Sequence, residues 1–232
     1  MKNRMRDLRD LLDKIGSKGE DLFFIQIGGN DGVGRDPIHQ AVKKYQWKGI
    51  ILEPQKMVFE DRLKKNYEDL PLIILENKAV DHVSGVKSLY EISFSEARWA
   101  TGLATFDRAT LVKHIENGYV LRHAKSDGIE IPASIDEMIK EESVHTTSIN
   151  DLLANHQVDR VDFFHIDTEG FDFEIIKMID FEKTNPKYLY FEHQHLTIKE
   201  FKEAIALLDM KGFDYVTDKT DTFAFKKGLT ID

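Results

Sequence analysis

Five apolar runs of strand length, "DLFFIQIG", "KGIILEP", "PLIILENKAV", "RVDFFHIDTEG" and "KYLYFEH", alternate along this chain with segments of helical spacing. A run that is apolar at consecutive positions must be covered on both faces, and the intervening helices are what cover it. The alternation predicts a Rossmann-like, doubly wound α/β domain with a mainly parallel sheet. Helices are expected at "PIHQAVKKYQW", "KMVFEDRLKKNY", "TSINDLLANHQV", "FDFEIIKMI" and "TIKEFKEAIALLDMKG". The last two apolar runs, "FDYVTD" and "TDTFAFKK", face each other across a short polar turn and predict a C-terminal antiparallel hairpin.

Between Asp81 and Thr147 the pattern loosens. A strand-like "VKSLYEIS" leads into a polar and aromatic region with two helical fragments, "ATLVKHIENG" and "ASIDEMIKEE". The organisation expected is one domain over residues 21–232 with an insertion at about 92–145 that caps the sheet and meets the substrate. Residues 1–20 precede it as a docking helix, with Met5, Leu8, Leu11, Leu12 and Ile15 on one face. A mitochondrial presequence is the other reading of such a start; Asp7, Asp10 and Asp13 argue against it.

The 32 Lys and Arg against 41 Asp and Glu leave a formal charge of −9, which repels phosphate backbones and anionic membranes. Nucleic acid is therefore not expected as a partner. With no cysteine, thiolate metal sites and cysteine nucleophiles are excluded. No apolar run is long enough to span a bilayer and the N-terminus lacks the apolar core of a secretory signal, so membrane insertion is not expected and the expected compartment is the cytoplasm. Self-association into a homo-oligomer is left open.

In doubly wound sheets ligands bind beyond the carboxyl ends of the strands. The first strand runs into "GGNDGVG". Glycines there permit positive φ and close backbone approach, and the following helix offers free N–H groups. The spacing is not the G-x-G-x-x-G of dinucleotide-binding proteins. Glu53, at the end of the second strand and twenty-two positions after Asp31, stands where an acid can accept the hydroxyls of a ribose. Loop and acid together point to a ribose-bearing cofactor.

The blocks "FFIQIGGNDGVGRDP", "GIILEP", "NKAV", "TTSINDLL" and "VDFFHIDTEGFDFEIIK" resemble, in order and spacing, the FkbM-type methyltransferases, a family dependent on S-adenosylmethionine. The resemblance runs from about Leu22 to His193 and implies a class I methyltransferase-like fold. It implies that Gly28, Gly29, Asn30, Asp31 and Gly32 pass under the methionine part and ribose of the cofactor, and that Glu53, followed by Pro54, binds the ribose. Ala79 and Val80 would line the adenine with Asn77 close by, and Asp167, Glu169 and Gly170 would lie beside the sulfonium and the acceptor. Gln26 stands where many methyltransferases carry an acid; it accepts a hydrogen bond but offers no charge to the cofactor's amino group. That role then falls to Asp31 or Asp167, or the contact is weaker.

A hydroxyl acceptor needs a general base, a metal, or both. Asp167 and His193 are the catalytic candidates. Two schemes fit: His193 as base beside an acidic pocket, or Asp167 and Glu192 as oxygen ligands of Mg²⁺. His165 reads as a core histidine, Glu169 as an acid favouring a helix N-terminus, and His195 as a loop residue. In the insertion, Trp99, Phe106 and Tyr119 with Arg98, Arg108 and Arg122 either stack on sugar rings and hold acidic groups, or form a cap with core aromatics and solvated arginines. The function expected by resemblance is O-methylation of a hydroxyl on a carbohydrate or secondary metabolite, a small-molecule or glycan acceptor. A nicotinamide-dependent oxidoreductase and a non-catalytic cofactor-binding domain are the rivals.

Overall fold

A computed structural model describes residues 8–229. Seven strands form one sheet: β1 (Phe23–Ile27), β2 (Lys48–Leu52), β3 (Ile73–Glu76), β7 (Phe163–Ile166), β8 (Tyr188–Glu192), β9 (Phe213–Thr217) and β10 (Asp221–Lys226). Their order is β3-β2-β1-β7-β8-β10-β9. The first five are parallel, and β10 pairs antiparallel with both β8 and β9. The expected parallel sheet and terminal hairpin are both present. Strand order reverses between β1 and β7, so the cleft at their carboxyl ends is where a ligand belongs.

Period-two alternation explains why these runs are apolar throughout. Ile25, Ile27, Ile50, Leu52, Phe164, Ile166, Leu189 and Phe191 face one core, under the helices Ile149–Asn155, Asp172–Met178 and Ile198–Met210. Phe24, Ile51, Phe163, Tyr188 and Tyr190 face the other, under Leu8–Ser17 and His39–Tyr45. The N-terminal helix buries Leu8, Leu11, Leu12 and Ile15 in that second core. Met5 and the rest of residues 1–7 lie outside the described residues.

Two expectations are corrected. The run "PLIILENKAV" is not one strand: it breaks after Glu76, and Ala79–Val80 (β4) joins a second sheet. The break is held by Asn77, whose amide donates to the carbonyls of Glu53 (2.8 Å) and Pro54 (3.0 Å). Second, "ASIDEMIKEE" is helical only over Ile135–Met138; β6 (Ile139–Thr147) follows and pairs antiparallel with β5 (Gly85–Ile92) along its full length. The capping box of Ser134 and Glu137 starts a helix, but the partner strand β5 pairs with the next eight residues, Ile139 to Thr146, and satisfies them better than a polar helix would. Within the insertion, helices Arg98–Thr101, Arg108–Glu116 and Tyr119–Ser126 pack Leu103, Leu111, Ile115 and Val120 into a core of their own. Among the described residues no helix is long and apolar enough to cross a membrane.

Candidate active site

A cavity of about 820 Å³ opens at the carboxyl ends of β1, β2, β7 and β8, with the insertion as its far wall. Gly28, Asn30, Glu53, Pro54, Ala79, Val80, Asp167 and Glu192 all line it. Its size is that of a small-molecule site.

The glycine loop is shaped chiefly by the protein's own backbone. Gly28 has φ +83°, and a Cβ on it would stand 1.8 Å from the carbonyl oxygen of Asp167. The amides of Gly28 and Gly29 donate to the carbonyl of Leu52 at 3.0 and 2.9 Å, so neither N–H is free for a ligand. Gly32 packs on Leu63 and Tyr67. Asp31 accepts from the amides of Val33 (3.0 Å) and Gly34 (2.7 Å), which closes the loop on itself. The expectation of free helix amides is also corrected, because Asp36 accepts from Ile38 and His39 at the helix start. Burial raises the pKa of Asp36 to about 6, against the pull of a hydrogen bond from Gln26 Nε2 at 2.8 Å. The amide N–H of Gln26 is thus used by Asp36 while its Oε1 has no partner among the described residues, and Gln26, Gly29, Asp31, Gly32 and Asn77 lie outside the cavity lining.

Glu53 is 2% exposed. One carboxylate oxygen accepts from the amide of Asn30 at 2.7 Å; the other accepts from the amide of Gln55 at 2.8 Å and from its side chain at 3.2 Å. A carboxylate has about four acceptor positions, so one remains for a hydroxyl. Burial pushes its pKa up to about 7, the amide donors of Gln55 and Asn30 holding it back. Gln55 also donates to the carbonyl of Thr101 at 2.8 Å, and Asn30 donates to the hydroxyl of Thr101 at 3.3 Å. The insertion is thereby fastened to the loop.

At the other end, Asp167, Glu169 and Glu192 bring carboxylate oxygens within 4.8 Å of one another. Burial raises the pKa of Asp167 well above the usual carboxylate range, and the charges of Glu169 and Asp172 raise it further while Arg98 opposes. Glu192 is raised by burial and by Asp167 and Glu169. Nε2 of His195 lies 3.0 Å from Glu169 and 3.5 Å from Glu192. Burial works to lower the pKa of His195, but the hydrogen bond and charge of Glu169 outweigh it, and the net shift is upward. His114, on the insertion helix Arg108–Glu116, stacks edge-on to His195 at 5.2 Å.

His193, expected as a base, is turned away: its Nδ1 meets the hydroxyl of Thr222 at 3.0 Å, its ring packs on Phe201, and it does not line the cavity. The histidines that face the cavity are His114, His123, His165 and His195. His165 is buried with Nδ1 unpaired, and burial lowers its pKa to about 3, so it stays neutral. Nothing in the local pattern marks His114, which sits in the short helix Arg108–Glu116. For His195 the only hint was the spacing "EHQH", which puts it three positions past Glu192.

Insertion aromatics divide between the two expectations. Trp99, Phe106, Tyr119 and Arg98 line the cavity, with Trp99 stacked on His123 at 5.6 Å. Arg108 is paired with Asp136, and Arg122 donates to the carbonyl of Asn117 at 3.2 Å. These two arginines hold the cap together.

The strand order, the terminal antiparallel strands and the cleft beside β1 define the class I fold of S-adenosylmethionine-dependent methyltransferases. The chain belongs to the FkbM methyltransferase family, whose domain matches residues 26–215. The nicotinamide reading of the same topology is thereby set aside. Among solved structures the chain is similar to the methyltransferase domain of METTL16 (13% identity, TM-score 0.47), over 94% of this chain and 64% of that one, so it spans less than two thirds of that neighbour. It is also similar to a putative RNA methyltransferase from Pyrococcus horikoshii (11% identity, TM-score 0.45; 95% and 81% covered). A third is precorrin-6y C5,15-methyltransferase from Geobacter metallireducens (12% identity, TM-score 0.40; 97% and 94% covered). No curated protein sequence matches the chain.

Proposed function

We propose that this protein transfers a methyl group from S-adenosylmethionine to a hydroxyl of a carbohydrate or secondary metabolite. The observation that carries the reading is that one cavity joins a buried acceptor of hydroxyls, Glu53, to a cluster of partly buried carboxylates around Asp167. The residues fit the cofactor: Glu53 keeps one acceptor position, Ala79 and Val80 give an apolar wall, and Asp167 places a carboxyl group where a sulfonium would lie. When bound, the cofactor supplies an electrophilic methyl carbon for in-line displacement.

The chain's own contribution is positioning and proton transfer. Asp167, whose basicity is raised by its surroundings, takes the proton of the acceptor hydroxyl as that oxygen attacks. Glu192 and Glu169 place further carboxyl groups beside the expected position of the sulfonium. Trp99, Tyr119 and Phe106 offer flat apolar faces for an acceptor ring and exclude water. Mg²⁺ at Asp167 and Glu192 has only the closeness of the carboxylates behind it, and the step as written does not use it. The net charge keeps a small molecule or glycan ahead of nucleic acid as partner.

Calorimetric titration with S-adenosylhomocysteine, followed by a screen of hydroxylated acceptors with methyl-labelled cofactor, tests the reading. Saturable binding and label in an alkali-stable ether support it. Binding without transfer to any acceptor would favour the non-catalytic domain, and absence of binding would end the methyltransferase reading.

A further inference from the structure

Three segments distant in sequence deliver two imidazoles and a carboxylate to one point of the cavity wall. His114 comes from the insertion helix, Glu169 from the turn after β7, and His195 from the segment after β8. One ligating atom of each lies within 4.8 Å of the other two, and the pair Glu169–His195 is already at 3.0 Å. A tetrahedral ion with bonds of about 2.1 Å holds its donors about 3.4 Å apart, so small side-chain rotations close the set.

The hydrogen-bond inventory of this corner does not balance. Oε2 of Glu169 and Oε2 of Glu192 are both buried without a hydrogen bond of good geometry. Nε2 of His195 stands 3.0 Å from the first and 3.5 Å from the second, and a single N–H cannot serve both. Buried carboxylate oxygens are costly to leave so, and a cation satisfies several at once. Glu169 also holds φ +53°, a left-handed conformation that a glutamate adopts only where its surroundings impose it. Its carbonyl is held by the hydroxyl of Thr105 at 3.3 Å, so the insertion braces this turn as well as contributing His114.

We propose that His114, Glu169 and His195 bind a divalent transition-metal ion of the Zn²⁺ type, with Glu192 in reach as a further oxygen ligand. The donor set distinguishes this ion from the Mg²⁺ expected at Asp167 and Glu192. Two imidazoles with one carboxylate suit borderline ions, whereas Mg²⁺ takes oxygen ligands and water. Such a site would tie the insertion to the sheet through His114. The inference rests on the methyltransferase reading for its role but not for its existence.

The test uses tag-free, chelator-stripped full-length protein titrated with Co²⁺ as a spectroscopic probe, then with Zn²⁺ and Mg²⁺, and in parallel with S-adenosylhomocysteine. One equivalent of Co²⁺ with visible absorption bands, displaced by Zn²⁺ and not by millimolar Mg²⁺, is expected. His114→Ala and His195→Ala should each weaken Co²⁺ at least tenfold and change the bands; Glu169→Gln should do the same. Far-UV circular dichroism and melting curves establish that each variant folds, and His193→Ala, two positions from His195 but outside the cavity, should bind Co²⁺ as the parent does. Absence of stoichiometric Co²⁺ binding, or binding untouched in folded His114→Ala and His195→Ala, would overturn the site. If S-adenosylhomocysteine binds and Co²⁺ does not, only the metal inference fails; if Co²⁺ binds and S-adenosylhomocysteine does not, only the methyltransferase reading does.

Discussion

The carboxylate of Glu53 accepts a hydrogen bond from the backbone amide of Asn30 at 2.7 Å, across the gap between the second strand and the glycine loop. The acid that the sequence marks as a ribose ligand is therefore also the clamp that shapes the loop. Glu53→Ala should weaken S-adenosylhomocysteine by at least about tenfold and cost on the order of 2–4 kcal/mol of stability, since it strands the buried amides of Asn30 and Gln55. Glu53→Gln keeps one oxygen and should recover most of the stability but less of the affinity. Calorimetry and urea unfolding separate the two effects; unchanged affinity in a folded Glu53→Ala protein would remove this residue from the cofactor site.

Stability of the ligand-free protein should fall as pH rises from about 4.5 to about 7. Glu53 has its pKa raised from 4.5 to about 7 and Asp172 from 3.8 to about 7, both first by burial. In that window the folded state holds protons that the unfolded state has released, so each added pH unit favours unfolding until both groups ionise in the fold. The contribution of Glu53 is on the order of 3 kcal/mol over the window, and Glu53→Gln should remove that part of the slope. Melting temperatures between pH 4.5 and 8 read it directly, and a profile as steep in the variant as in the parent would contradict the assignment.

Gly28 and Gly19 both have positive φ but differ in surroundings. A Cβ at Gly28 would lie 1.8 Å from the Asp167 carbonyl, whereas at Gly19 nothing lies within 4 Å. Gly19→Ala should cost only the backbone term, about 1–2 kcal/mol. Gly28→Ala adds a collision between two strand ends and should cost well over about 3 kcal/mol or prevent folding. Equal unfolding midpoints for the two variants would show that the loop yields more easily than this packing implies.

His193 and His195 are two positions apart and should behave differently in turnover. His195→Ala removes the imidazole paired with Glu169 and Glu192 and should lower methyl transfer by about 10²-fold or more. His193→Ala removes a contact to Thr222 outside the cavity and should leave turnover within about threefold. A larger loss in His193→Ala than in His195→Ala, in folded proteins, would restore the residue that the sequence favoured.

Leu12, 1% exposed, anchors the N-terminal helix in the second core. Leu12→Ala should cost about 2–5 kcal/mol in urea unfolding. A loss below about 1 kcal/mol would mean the helix is separable from the sheet.

Four of the five parallel strands and their two-sided burial were legible because a buried parallel strand leaves a contiguous apolar run whatever the rest of the chain does; β3 departs from this, since it lies at the sheet edge and leaves Ile74 37% exposed. Glu53 and Asp167 were legible for a related reason: each terminates a strand, and the fold class fixes which end of a strand meets the ligand. The pairing of β5 with β6 was not, since an exposed antiparallel pair carries little hydrophobic pattern and its polar residues also suit a helix. Nor could the sequence choose between His193 and His195, because the turn after β8 decides which ring enters the cavity. His114 lay further out of reach: it joins Glu169 and His195 only when the insertion folds back over the sheet edge. Local pattern determined the strands, their order of burial and the strand-end acids, since these depend on neighbours in the chain. Which side chains converge across the cavity was decided by tertiary packing alone, since contacts between segments far apart in sequence leave no local pattern.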